Sequence, residues 1–458
     1  MSEGSAAAET RRYGRSAGLL TVALGTAGLL AYAFIAIASH TLDKDDYGTV
    51  VVLWSIVFFG ASALFRPIEQ LLSRTIAEHE EIGEGIGDVL RTAALIQLGV
   101  VGAAVVLLLA LKSTITDELL DGSDTLFWVL VVALAAFGGA FYGRGFLAGR
   151  RQFSVYAALL VLEGCSRVLF AIAVAVGIAS GVDAVALGIA VAPLASMTVI
   201  PFALARRRPA PARAAADGVG PDAGPHFTVS AGGAFAAAVL LMMLSEAVLV
   251  SSGALFVRAT AGAAAAGFIF NVMMVARAPL LLFQAIAASL LPHLTRLRAR
   301  GDRTGADAFR LSVNTTLLTI AAFATAVTLG VLAVGPQVMQ IAFSSKFEYD
   351  RAGLAIVAVG MGFYLAGAAL NQAALARGQA RPAAVCWVAC ALGFVAFNLI
   401  SPLDPFRTVE VGFLACATVL SGLLLALYMR SVSVSAEALE PGSPREIEAR
   451  LAAADEIG

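Results

Sequence analysis

A chain of 458 residues that is 59% hydrophobic and only 14% charged, with a mean hydropathy of +0.85, is too apolar to be a water-soluble globular protein. Its formal net charge of −1 provides no overall attraction for nucleic acid. Lysine occurs only at Lys44, Lys112 and Lys346, and no Gly-Lys-Ser or Gly-Lys-Thr is present, which excludes a Walker-type phosphate loop and ATP coupling on this chain.

Residues 1–15 are polar and contain Arg11, Arg12 and Arg15. The apolar run behind them is long and lacks an evident small-residue cleavage site, so it reads as an uncleaved first membrane helix. Twelve apolar runs are predicted as helices, roughly 16–39, 48–73, 91–111, 125–148, 155–179, 184–205, 228–251, 262–290, 312–334, 352–376, 382–401 and 409–429. The second run, Gly48 to Ser73, is apolar enough to cross a bilayer yet holds Arg66, Pro67 and Glu69 near one end. A charge at membrane depth costs about 2.5–3.5 kcal/mol even on lenient insertion scales, so these residues are expected to face a cavity or a partner.

The connections alternate in charge. Those on the side of the amino terminus hold 22 basic residues, among them Arg144, Arg150 and Arg151; the other side holds six, Lys44, Lys112, Arg258, Lys346, Arg351 and Arg407. The positive-inside rule makes the first side cytoplasmic and puts both termini there. The break from Arg206 to His226 is rich in Pro, Ala and Gly and reads as a linker. The expected organisation is a six-helix lobe over 1–205, a cytoplasmic linker over 206–227, a second six-helix lobe over 228–430 and a cytoplasmic tail over 431–458. Six helices per lobe give both the same orientation, so the lobes are expected to be related by a pseudo-two-fold along the membrane normal. A shift of 219 residues supports this, aligning Gly48 with Gly267, Asp88 with Asp307 and Arg91 with Arg310.

The candidate site residues are charges inside the predicted helices. Arg66, Arg167 and Arg277 offer guanidiniums, which stay charged in low dielectric and grip phosphate oxygens through a planar fork. Glu69, Glu163 and Glu246 are the acids. Glu163 precedes Arg167 by four residues and Arg66 precedes Glu69 by three, so each pair can also neutralise itself along one helix face. Arg277 has no acid within a turn. Glu246 is the lone acid of its helix, a candidate for proton or sodium coupling or for pairing with Arg277 or Arg258. Asn314, Asn371, Gln372 and Asn398 could hydrogen-bond sugars within a cavity, with hydrogen bonding between helices the simpler reading. Cys165, Cys386, Cys390 and Cys416 lie in apolar runs and read as small hydrophobes, and the four histidines lack metal-site spacing, so no metal is expected.

Twelve helices in two lobes, the loop from Thr41 to Gly48 leading into the second helix, and the stretch Arg277-Ala-Pro279 through Leu290-Leu-Pro292 to Arg296 resemble the polysaccharide-export flippases. Those belong to the superfamily that includes the multidrug and toxin extrusion transporters. The resemblance implies an all-α, MATE-like membrane protein of the bacterial plasma membrane, not an enzyme and without cofactor. It would move a polyprenyl-pyrophosphate-linked oligosaccharide from the inner to the outer leaflet by alternating access. Its partners would be the lipid-linked glycan, membrane lipid and glycan-assembly enzymes. Arg66, Arg167 and Arg277 would hold the pyrophosphate. The alternative within the superfamily is a multidrug exporter coupled to H+ or Na+.

Overall fold

The computed structural model describes residues 3–82, 85–201, 229–275 and 303–438, with Leu290, Leu294 and Leu297. In these residues the chain is helical: α1 Glu3–Thr41, α2 Lys44–Leu64, α3 Arg66–Ile82, α4 Gly87–Ala110, α5 Asp124–Gly149, α6 Phe153–Ala175, α7 Gly181–Met197, α8 Val229–Ser251, α9 Gly253–Ala261, α10 Ala263–Val275, α11 Arg303–Phe343, α12 Arg351–Ala376, α13 Ala380–Ile400 and α14 Pro405–Ala438. Nine spans among the described residues are long and apolar enough to cross a membrane, or ten if α8 and α9, bent by 42° at their junction, form one; α7 and the described part of α10 are shorter apolar helices. This is a multi-pass membrane protein, and the twelve expected runs are an approximate count of its helices.

Local chemistry explains where the helices start and stop. Asp43 caps α2, its Oδ1 accepting the Asp46 amide at 2.8 Å. The single run predicted over 48–73 is two helices, α2 and α3, because Pro67 has no N–H to continue the ladder but fits the first turn of a new helix. The chain turns over Phe65, whose carbonyl takes the amides of Ile68 and Glu69 at 3.1 and 3.0 Å. Asp350 caps α12 through the Ala352 and Gly353 amides, both at 3.2 Å. Asp404 caps α14 beside Pro405, accepting the Phe406 and Arg407 amides at 3.1 Å. The last helix runs past its expected end at residue 429 to Ala438.

The described chain forms two compact units. Unit 1 comprises Met1–Phe227, Ala247–Met274 and Pro336–Tyr349; unit 2 comprises Thr228–Glu246, Val275–Gly335 and Asp350–Gly458. In lipid, helices gain little from apolar burial against each other, so close packing over small residues carries the association. In unit 1, α5 lies on α3 through glycines: a Cβ on Gly145 would stand 2.8 Å from the Glu69 carbonyl oxygen, and one on Gly149 would stand 2.9 Å from that of Ser73. Leu72 and Ile76 of α3, Phe146 and Leu147 of α5, and Val155 and Leu159 of α6 form the core beside this contact. In unit 2, α12 meets α14 along Gly353, Gly360 and Gly367, whose added Cβ atoms would meet Glu410, Phe413 and Leu420.

Candidate functional site

The α3–α5–α6 contact of unit 1 positions the densest set of buried charges among the described residues. Tyr156, Glu163 and Arg167 are seven and four residues apart, which puts all three on one face of α6. Glu163 takes both of its partners from guanidiniums. Its Oε1 accepts Arg167 at 3.1 Å within the same helix, and its Oε2 accepts Arg144 of α5. Arg144, Glu163 and Arg167 are each exposed by less than a tenth. The Arg167 guanidinium lies 4.4 Å from the ring centroid of Trp54 and 5.5 Å from that of Phe58. Those two rings, one turn apart on α2, stack at 4.4 Å. The Arg144 guanidinium lies 4.6 Å from the Phe141 ring. Aromatic faces stabilise a cation that has lost its water.

Two guanidiniums share one carboxylate, so the trio carries a formal charge of +1. Among the described residues neither the Arg144 Nε nor the Arg167 Nε has a hydrogen-bond partner, and a buried donor without an acceptor is costly. Glu69 is a further acid beside the trio. Its Oε1 accepts the Tyr156 hydroxyl at 2.8 Å, and it lies in the field of Arg144 and Arg66. The trio can receive an oxyanion through donors in fork geometry, a formal surplus of one cation and low dielectric, with Glu69 tempering that surplus.

The structure sorts the six predicted site residues. Glu163 and Arg167 pair as their spacing predicts. Arg66 and Glu69, which could have paired along one helix face, form no ion pair: Arg66 is exposed, and Glu69 accepts from Tyr156. Glu246, half-buried in unit 2, accepts the Tyr364 hydroxyl at 2.8 Å; its proposed partner Arg258 is bound to Asp121 at 2.6 Å. Arg277 lies outside the described residues. Asn371 is buried and accepts Trp387 Nε1 at 3.2 Å across α12 and α13, whereas Asn398 bonds the Phe394 carbonyl of its own helix.

Sequence reasoning missed Arg144, counting it among the basic connections. The run predicted over 125–148 already contained it, flanked by Gly143 and Gly145, which let neighbouring helices close around it. It also missed a second cluster in unit 2. There Arg407 bridges Asp350 and Glu410, the latter at 2.8 Å, and Glu410 is buried against Gly353. The signal was available, since Arg407 and Glu410 are three apart in the last helix.

No protein-family model matches the chain, and no curated protein does. Among solved structures the chain is similar to a multidrug resistance MATE family transporter of the MOP superfamily in its inward-facing conformation, with a TM-score of 0.70 and 14% identity over 90% of this chain and 96% of that one. It is also similar to such a transporter in the outward-facing conformation, at 0.62 and 13% over 92% and 96%. A MOP superfamily transporter from Pyrococcus furiosus, described as having a binding pocket of reverse polarity, matches at 0.60 and 14% over 92% and 96%. At such identities the likeness establishes the fold. The chain has the two-lobe, all-α architecture of MATE transporters.

Proposed function

We propose that this protein is an exporter that flips a lipid-linked oligosaccharide bearing a phosphate or pyrophosphate from the inner to the outer leaflet of the bacterial plasma membrane. The observation that carries the reading is the excess of buried guanidinium over carboxylate at Arg144, Glu163 and Arg167, with an Nε on each arginine that has no acceptor among the described residues. An exporter of organic cations needs the opposite balance. Arg66, exposed one turn from Glu69, and Arg277 extend the cationic set in this reading. A sugar headgroup cannot shed its water into hydrocarbon, whereas a polar cavity keeps its hydroxyls bonded while the lipid tail stays in the bilayer. An anion leaving an inside-negative cell gains about 2.3 kcal/mol per charge per 100 mV, so ion coupling is not required.

The test is transfer of a fluorescent polyprenyl-pyrophosphate oligosaccharide across the membrane of proteoliposomes. A hydrogen bond to a charged group is worth about 1.5–3 kcal/mol, so Arg167→Gln should slow transfer about tenfold or more at unchanged reconstitution. Arg277→Ala should do the same. Wild-type protein that moves no anionic glycolipid would overturn the proposal. The second reading, a cation-coupled multidrug exporter, draws on Glu246 and its hydroxyl partner Tyr364. It requires dye efflux by the wild type that Glu246→Gln abolishes.

A further inference from the structure

Unit 1 contains most of the first half of the sequence but also two pieces of the second, Ala247–Met274 and Pro336–Tyr349. Both pieces join it at the ends of α1, α2 and α4 that lie away from the amino terminus, and the bonds that hold them are specific. Arg258, at the end of α9, puts a nitrogen 2.6 Å from Asp121 Oδ1 and its Nε 3.1 Å from the Glu118 carbonyl. The other oxygen of Asp121 accepts the Thr49 hydroxyl at the start of α2. Asp121 itself sits at φ +51, followed by Gly122 at +76. That left-handed turn is one that Asp tolerates better than most residues, and it presents the carboxylate to both partners.

Three further contacts surround this one. The Lys346 ammonium donates to the carbonyls of His40 and Leu42 at the end of α1. Tyr47 donates to Asn271, whose Nδ2 donates in turn to Tyr349 at 3.0 Å, a buried chain linking α2, α10 and the loop after α11. Gly48 and Gly267 touch, a Cβ on Gly267 falling 3.3 Å from the Gly48 Cα. These are the two glycines that the 219-residue shift aligns. Residues equivalent under a two-fold rotation meet only at its axis, so this contact lies where the two sequence halves converge.

The unit boundary also falls on weak points of the second-half helices. One is Gly335–Pro336 inside α11, where proline removes a backbone hydrogen bond. Another lies within six residues of the 42° bend between α8 and α9.

We infer that Arg258, Asp121 and Thr49, with Lys346 on the carbonyls of α1, form a latch that shuts the transport path at the end opposite the amino terminus. Opening breaks these bonds and lets the outer parts of α8–α9, α10 and α11 leave the first half, with α11 bending at Gly335–Pro336. The inference rests on the transporter reading for the path, but the contacts and their rupture do not depend on which substrate is carried.

The experiment measures geometry, not transport. Spin labels are placed at Asp117→Cys and Ala259→Cys, both exposed and outside the ion pair, in full-length protein whose four native cysteines are replaced. Pulsed electron spin resonance in liposomes reads their separation. The expected wild-type result is a predominantly short distance. Arg258→Glu should raise the long-distance population at least fivefold, and Arg258→Glu with Asp121→Arg should restore the short one. An unchanged distribution in Arg258→Glu overturns the latch. Should that variant fail to fold, Asp121→Asn and Thr49→Val carry the same expectation, with smaller shifts. Glycolipid transfer is followed in parallel. Opening by the latch variants in a protein that transfers no glycolipid keeps the latch and refutes the flippase, whereas transfer without any latch response does the reverse.

Discussion

The two units solve one electrostatic problem in opposite ways. Unit 1 buries a single carboxylate, Glu163, between two guanidiniums, and unit 2 sets a single guanidinium, Arg407, between the carboxylates of Asp350 and Glu410. The first cluster has a formal charge of +1 and the second −1. Hydration differs as well. Side chains of the first trio are exposed by at most 10%, whereas Asp350 is 55% and Arg407 33% exposed, with only Glu410 shut in. Water can screen the surplus charge of the second cluster. The surplus cation of the first has aromatic rings around it and two N–H groups that lack an acceptor among the described residues, with Glu69, bonded to Tyr156, as a further acid in its field. Polarity and burial together, and not the number of charges, make the unit 1 cluster the better candidate for holding substrate.

The largest effect expected from breaking this contrast is at Glu163. Removing one partner of a buried ion pair leaves an uncompensated charge and typically costs about 3–5 kcal/mol. Glu163→Gln strands two guanidiniums and should lower thermal stability in detergent accordingly. Replacing all three members, Arg144→Met, Glu163→Leu and Arg167→Met, should recover most of that loss while abolishing glycolipid transfer. A triple variant that is as unstable as the single one would show that the trio is needed for folding and not kept for its charge.

Next in size is Arg407→Gln in unit 2. Glu410 would then be buried against Gly353 with no cation, and leaving such a group unsatisfied costs about 1–3 kcal/mol. Arg407→Gln combined with Glu410→Gln should restore stability to within experimental error of wild type, because two amides can bond where an acid cannot stand alone. A double variant as unstable as Arg407→Gln would mean that the arginine acts through packing on α14.

The contrast was half legible in the sequence. Most of the described spans were legible because a membrane helix needs about twenty apolar residues and leaves an unmistakable run. The Glu163–Arg167 pairing was one of two readings the sequence left open, because four residues are one helical turn. What failed was whatever depends on a neighbouring helix. Arg144 looked like a loop cation because only the close approach of α3 over Gly145 and Gly149 reveals that it is enclosed. Glu69 looked like the partner of Arg66 because nothing along the chain announces Tyr156, 87 residues away. The same limit hid Asp121 as the acceptor for Arg258, 137 residues apart. Pro67 was a local signal of a different kind, and it marked the break at Phe65 that the hydrophobic pattern alone ran through.

The smallest expected effect sharpens the comparison from the exposed side. Asp350 both caps α12 and pairs with Arg407. Partial burial alone would push its carboxyl up, but the hydrogen bonds from Arg407 and from the Ala352 and Gly353 amides outweigh it and hold the group below its ordinary value. A carboxylate whose folded pKa is depressed contributes stability that is fully present above its unfolded pKa, about 3.9, and is lost as pH falls through the folded one. Asn caps a helix nearly as well as Asp, so Asp350→Asn keeps the cap and deletes only an ion pair that water screens. At neutral pH the variant should be less stable by no more than about 1 kcal/mol. That difference should stay constant down to about pH 5 and close as the pH is lowered past the ordinary carboxylate range. Melting curves of both proteins from pH 7 to pH 3 measure it. A gap of several kcal/mol at neutral pH, or one that persists once Asp350 is protonated, would place Asp350 with the buried trio of unit 1 and dissolve the distinction between a solvated charge cluster and an enclosed one.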